Sequence, residues 1–176
     1  MPYVNEIEAS QADARLSEIY RKIEQKFGFL PHYFMALGAK PDVIEGQVKL
    51  NGAVMQDGAL TEAFKEQIGV VVSGINASSY CIAIHMELLR RFGVEKPLAR
   101  KLATDYANAP VDEKARALFR FADKLTRKPL DIEETDVAEL RRAGWDDAAI
   151  RETVLTVAYF NYINRVSFGL GLVADF

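Results

Sequence analysis

Apolar residues at helical spacing run through almost the whole of this 176-residue chain, and no segment alternates with the two-residue period of a strand. Leu16, Ile19, Tyr20, Ile23 and Phe27 form one stripe behind the cap signal Ser10-x-x-Asp13, with Gly28 placed to end the helix. Ala115, Leu118, Phe119, Ala122 and Leu125 form another. Helices are also expected from Pro41 to about Gln56, from Thr61 to about Ile75, and from Tyr80 to Phe92 with Gly93 as a stop. A short one should run from Thr135 to Ala143 before Gly144, and a long one from about Asp147 to Val166. The helices that open at Thr61 and Asp147 become apolar on all sides in their later turns, which marks them as central. The expected fold is an all-α helical bundle filling a single domain over residues 1–176, a length that supports one core and not two.

The two central helices echo one another. A shift of 86 residues lays Gly58-x-x-Thr61-x-Ala63-Phe64-Lys65-Glu66-x-Ile68-x-Val70-Val71 over Gly144-x-x-Asp147-x-Ala149-Ile150-Arg151-Glu152-x-Val154-x-Thr156-Val157. Lys40-Pro41 falls two residues from register with Lys128-Pro129. This reads as an internal helical repeat, two related halves packed about a pseudo-twofold axis. The halves differ downstream: the first leads into Ser78, Cys81 and His85, the second into Asn164, Arg165 and Ser167.

Charge and cysteine content narrow the setting. Lys and Arg number 22 against 25 Asp and Glu, and no basic block exceeds the pairs Arg90-Arg91, Arg127-Lys128 and Arg141-Arg142. Such pairs suit helix C-termini, so no nucleic-acid partner and no anionic-membrane surface is expected. One cysteine cannot build an intramolecular disulfide, and the first residues lack the layout of a signal peptide, so a reducing cytoplasm is the expected location. The run Gly69-Val70-Val71-Val72 is soon broken by Ser73, Gly74 and Asn76, far short of a membrane span.

The only cysteine and one of two histidines fall within the stretch Asn76-Ala77-Ser78-Ser79-Tyr80-Cys81-Ile82-Ala83-Ile84-His85. A helix starting near Tyr80 puts Cys81 in its first turn, where free backbone N–H groups and the helix dipole favour a thiolate. His85 follows one turn later on the same face, with Cβ atoms about 5–6 Å apart. Glu66, on the preceding helix, can orient or deprotonate that imidazole if the two helices are antiparallel neighbours. A lone cysteine in an apolar stretch is more often a buried hydrophobe. The helix start, the histidine on its face, and polar Ser78 where a C-x-x-C would be completed weigh toward a reactive thiol.

Glu66, then eleven residues, then Ser78-x-x-Cys81-x-x-x-His85 resembles the pattern of the AhpD-like alkylhydroperoxidase and carboxymuconolactone decarboxylase superfamily, in particular its peroxidase-related branch. Leu30-Pro31-His32-Tyr33-Phe34-Met35-Ala36-Leu37 upstream and Tyr159-Phe160-Asn161-Tyr162-Ile163-Asn164-Arg165 downstream extend the resemblance over most of the chain. It implies an all-helical homo-oligomer that reduces organic hydroperoxides through a cysteine sulfenic acid, with no cofactor. Cys81 matches the peroxide-attacking thiol, and Glu66 and His85 match the proton-relay residues. Ser78 stands where that family has its resolving cysteine, so the sulfenic acid must be cleared by an external thiol reductant or another subunit. Ser78 keeps a hydroxyl for a proton relay.

Two other readings stay open: a decarboxylase-type enzyme using Glu66 and His85 for general acid–base work on a small carboxylate, and a non-catalytic oligomer. His32 is expected to cap or pack against the helix after Pro31. Two histidines 53 positions apart and one cysteine do not make a closed zinc site, and Gly169-x-Gly171 lacks the strand and helix of a dinucleotide loop. The tail holds more large apolar surface than a small domain readily buries: Tyr159, Phe160, Tyr162, Ile163, Val166, Phe168, Leu170, Leu172, Val173 and Phe176. It is expected to form a homo-oligomer interface.

Overall fold

The computed structural model describes residues 2–174, and among these there are nine α-helices, three short 3-10 turns and no strand. The helices are α1 (Ala14–Phe27), α2 (His32–Ala36), α3 (Pro41–Met55), α4 (Glu62–Ile75) and α5 (Ser79–Arg91). They continue as α6 (Lys96–Asp105), α7 (Glu113–Arg127), α8 (Glu134–Arg142) and α9 (Asp147–Gly169). The bundle is all-α, as the periodicity predicts. Ends fall where local chemistry sets them: Asp13, Thr61, Asp112 and Asp146 each accept a backbone N–H at an N-terminus, while Gly28, Gly93 and Gly144 take positive φ at or just beyond helix ends. Ser10 lies in the turn Ala9–Gln11, so Asp13 caps α1 without it, accepting from the Leu16 N–H at 2.8 Å.

Helix α6 escapes the sequence reading. Its N-cap is Glu95, whose side chain makes no capping bond, and its ten residues bury only Ala99 and Leu102. A stripe that short, without a recognisable cap, has too little period to stand out from a loop.

Helix α4 is the axis of the fold, packing on α5, α6, α7 and α9. Ile68, Val70, Val71 and Val72 are all but inaccessible, as its all-round apolar character requires. Two glycines set how close its neighbours come. A Cβ on Gly69 would overlap the Phe160 ring of α9, and one on Gly74 would overlap the Ala103 carbonyl of α6. At the other end of α4, fully buried Lys65 donates to the Gln56 carbonyl at 2.6 Å and pairs with Glu152 of α9 at 3.1 Å. The same Glu152 accepts the N–H groups of Ala59 and Leu60 at 3.1 and 2.9 Å, so α9 is clamped to the chain entering α4.

Much of the expected tail interface is consumed inside the chain, since Tyr159, Phe160, Ile163 and Leu172 are buried. Leu155, Tyr162, Phe168 and Val173 remain exposed, and Phe176 lies outside the described residues. No helix among the described residues is long and apolar enough to cross a membrane.

Candidate active site

The site begins with how α4 ends. Ala77 N–H bonds to the Gly74 carbonyl at 3.0 Å and Ser78 N–H to the Ser73 carbonyl at 2.9 Å, the paired bonds of a Schellman turn. Its left-handed position, usually glycine, is Ala77 at φ 56°. The reversal lets α5 start at once, with Ser78 at its N-cap and Cys81 in its first turn. Asn76 ties the turn to α9, donating to Asn161 at 3.0 Å and Asn164 at 2.8 Å, and buried Asn164 donates in turn to Ser73 at 3.1 Å. At the opposite side, the Tyr80 hydroxyl accepts the Tyr33 N–H at 3.0 Å, joining the start of α5 to α2.

Antiparallel packing of α4 and α5 brings Glu66 to His85, with Oε2 2.6 Å from Nδ1. Both are buried, and the Phe160 ring meets the imidazole edge-on, 4.5 Å between centroids. A carboxylate on Nδ1 selects the tautomer with the proton there and leaves Nε2 as the exchangeable position. Cys81, one turn before His85, is buried, and its Sγ lies 3.5 Å from the Ser167 Oγ of α9.

Cys81, His85 and Glu66 line one cavity of about 310 Å³. Ser78 is not part of its wall: it is buried at the N-cap, and its hydroxyl makes no capping bond. The rest of the wall is largely aromatic and aliphatic, from Phe27, Phe34, Tyr80, Ile84, Leu88 and Ile163. One side is polar. Tyr33 donates to Gln47 at 2.9 Å, Tyr159 is hydrogen-bonded to Asn51 and Gln47, and Asn51 accepts from Lys26 at 2.5 Å. Burial holds both phenols in the neutral form, with the Tyr159 value pushed up to about 12. At the mouth stand Lys26, Arg91 and Glu62, and burial pushes the Glu62 carboxyl upward, with Glu66 and Asp57 adding to it against Lys26.

Sequence reasoning places Glu66, Cys81 and His85 together, and the structure does the same. It misses Tyr33, Gln47, Tyr159 and the rim cations, which reach the cavity from several helices, and Ser167, which meets the Cys81 sulfur from α9. Arg91 alone carried a readable signal: residues 81, 84, 85, 88, 91 and 92 share one face of α5. His32 is the first residue of α2, and its Nδ1 lies 2.9 Å from each Glu6 carboxylate oxygen.

The carboxymuconolactone decarboxylase family model matches residues 41–124, which contain Glu66, Cys81 and His85. A peroxidase-related protein from Ralstonia eutropha JMP134 with an alkylhydroperoxidase AhpD core superposes with a TM-score of 0.91 at 26% identity, over 99% of this chain and 92% of that one. The chain has the AhpD-like fold, and its residues 41–124 match the model of that decarboxylase family. A peroxidase-related protein from Silicibacter sp. TM1040 resembles this AhpD-like chain with a TM-score of 0.87 at 27% identity, over 93% and 88% of the two chains. The debrominase Bmp8, solved as a cysteine-to-alanine variant in complex with 2,3,4-tribromopyrrole, shares the AhpD-like fold with a TM-score of 0.84 at 21% identity, over 98% and 91%. No curated protein matches the sequence.

Proposed function

We propose that this AhpD-like protein reduces organic hydroperoxides with Cys81 as the reacting thiol. The observation that carries the reading is the 2.6 Å bond between Glu66 and His85 in a cavity wall that also presents Cys81. The sulfur attacks the terminal peroxide oxygen, the O–O bond breaks, and the alcohol leaves after taking a proton from the His85–Glu66 pair. Cys81 becomes a sulfenic acid. One external thiol condenses with it, releasing water and leaving a mixed disulfide, and a second thiol restores Cys81 while the two reductants leave as their own disulfide. Ser78 supplies no resolving sulfur, so the reductant comes from outside. A reducing cytoplasm would provide it.

Mass spectrometry after brief exposure to one equivalent of cumene hydroperoxide tests this. One added oxygen on Cys81, trappable by dimedone, is expected. An unmodified thiol would leave the acid–base and non-catalytic readings. The acid–base reading needs a cation beside Glu66 and His85 to hold the reacting carboxylate; the cavity's cations, Lys26 and Arg91, stand at the mouth instead.

Leu155 and Tyr162, exposed seven residues apart on one face of α9, support assembly as a homo-oligomer. Sedimentation at micromolar concentration should give a mass well above 19.7 kDa, and a monomer would rule the assembly out.

A further inference from the structure

The wall that α5 contributes to the cavity is graded from end to end. Cys81 is buried at the inner end, Ile84 and Leu88 are apolar in the middle, and Arg91 and Phe92 lie exposed at the outer end. Ten residues separate Cys81 from Arg91, so the helix carries the wall about 15 Å outward at 1.5 Å per residue. Lys26 and Phe27, at the C-terminus of α1, face Arg91 across the mouth: the Arg91 guanidinium donates to the Phe27 carbonyl. Neither cation has a carboxylate within ion-pair distance among the described residues. Lys26 is held by the neutral side chain of Asn51, Arg91 by a backbone carbonyl. Glu62 is the one acid lining this rim, so two cations face one carboxyl.

A cavity of about 150 Å³ lined by aliphatic and aromatic residues is enough to bind benzene. This one, at about 310 Å³, has room for a longer apolar body between its polar ends. An occupant that fills it would lay hydrocarbon along Ile84, Leu88, Phe34 and Ile163 and bring an anionic group to Lys26 and Arg91. Carboxylate suits both cations, and the planar guanidinium can take it through two parallel hydrogen bonds.

We propose that the cavity binds amphipathic monocarboxylates end-on, with the carboxylate on Lys26 and Arg91 and the apolar chain running inward to Cys81. The substrate is then a carboxylated hydroperoxide whose peroxide group sits at the far end of the chain from its carboxylate. The identity of the reacting group rests on the peroxidase reading; the binding mode does not.

Dodecanoate and dodecan-1-ol are the probes, since neither can oxidise the thiol. Titration calorimetry on the full chain should show dodecanoate binding, and saturating dodecanoate should slow alkylation of Cys81 by iodoacetamide. The Lys26→Gln, Arg91→Gln double variant should lose roughly ten- to a hundredfold in dodecanoate affinity while its affinity for dodecan-1-ol changes by less than about twofold. Lys26→Gln alone, which removes the contacts to Asn51 and the Phe27 ring but leaves Arg91 in place, should lose several-fold and covers the case in which the double variant does not fold. Equal loss for the two ligands, or no protection of Cys81, would overturn the proposal. If dodecanoate binds and protects but no hydroperoxide oxidises Cys81, the peroxidase reading falls and the binding mode stands.

Discussion

Cys81 and Ser167 are 86 residues apart, which is the register of the internal echo, and their side chains meet at 3.5 Å. Equivalent positions in the two halves therefore touch where α5 meets α9. The halves diverge just before that point. The first breaks at Asn76–Ser78 and begins a new helix, whereas α9 runs unbroken through the corresponding residues 162–164. The break gives the first half a new helix N-terminus, with Cys81 in its first turn.

If the Ser167 hydroxyl donates to the sulfur, Ser167→Ala removes a hydrogen bond to an anion, about 1.5–3 kcal/mol. Part of that is returned, because a less stabilised thiolate is a better nucleophile, with a Brønsted slope of about 0.4–0.5. The net expectation is a roughly three- to twentyfold slower alkylation of Cys81 at neutral pH, read as a second-order rate with iodoacetamide. An unchanged rate would mean that the hydroxyl gives the sulfur nothing in solution.

Glu152 occupies the echo position of Glu66 and does a different job. Burial raises its carboxyl, but the N–H groups of Leu60 and Ala59 and the Lys65 ammonium more than offset that, and the net direction is down. A carboxyl held below its unfolded value contributes stability that is fully present above the unfolded pKa of about 4.3. That contribution is lost as pH falls through the lower folded value. Glu152→Gln should therefore cost about 2–3 kcal/mol at pH 7, since buried Lys65 loses its counter-charge and the pair is only partly shielded from water. Denaturant melts of the two proteins should converge as pH drops below 4. A gap that persists undiminished at pH 3 would assign the loss to packing.

The contrast between these two glutamates shows what a single chain can and cannot reveal. Residues on neighbouring turns of one helix, Cys81 and His85, are legible because helical geometry fixes their relation. Glu66 is legible through the short reversal between two helices. The partners of Glu152 and Cys81, 92 and 86 positions away, depend on how α9 crosses α4, which Gly69 and Phe160 decide by packing. Ser78 is the instructive case: spacing marks it as chemically significant, whereas its placement at a helix cap behind the cavity wall follows from the Schellman turn.

That turn holds an alanine where φ is 56°. Left-handed backbone costs a residue with a Cβ about 1–2 kcal/mol, and glycine would relieve it while adding freedom to the unfolded chain. Ala77→Gly is expected to stabilise the fold by a net of about 0.5–1 kcal/mol, raising Tm by about 2 °C. Cys81 alkylation should stay within about twofold of the parent, because both backbone bonds of the turn survive. A fall in Tm would show that contacts of the Ala77 methyl outweigh the backbone strain.

Ser78→Cys places a second sulfur three residues before Cys81, across the start of α5, where Cβ atoms are roughly 5–6 Å apart and a small adjustment closes a disulfide. Under the peroxidase reading, one equivalent of cumene hydroperoxide should remove both thiols from this variant, because the new cysteine condenses with the Cys81 sulfenic acid before overoxidation. The parent should lose one thiol and remain open to dimedone. Peptide mapping distinguishes the outcomes. If no bond between positions 78 and 81 forms even with a strong disulfide oxidant, the two side chains do not approach as the helix start requires. If the bond forms with that oxidant but never with peroxide, the geometry of α5 holds and Cys81 is not a peroxidatic thiol.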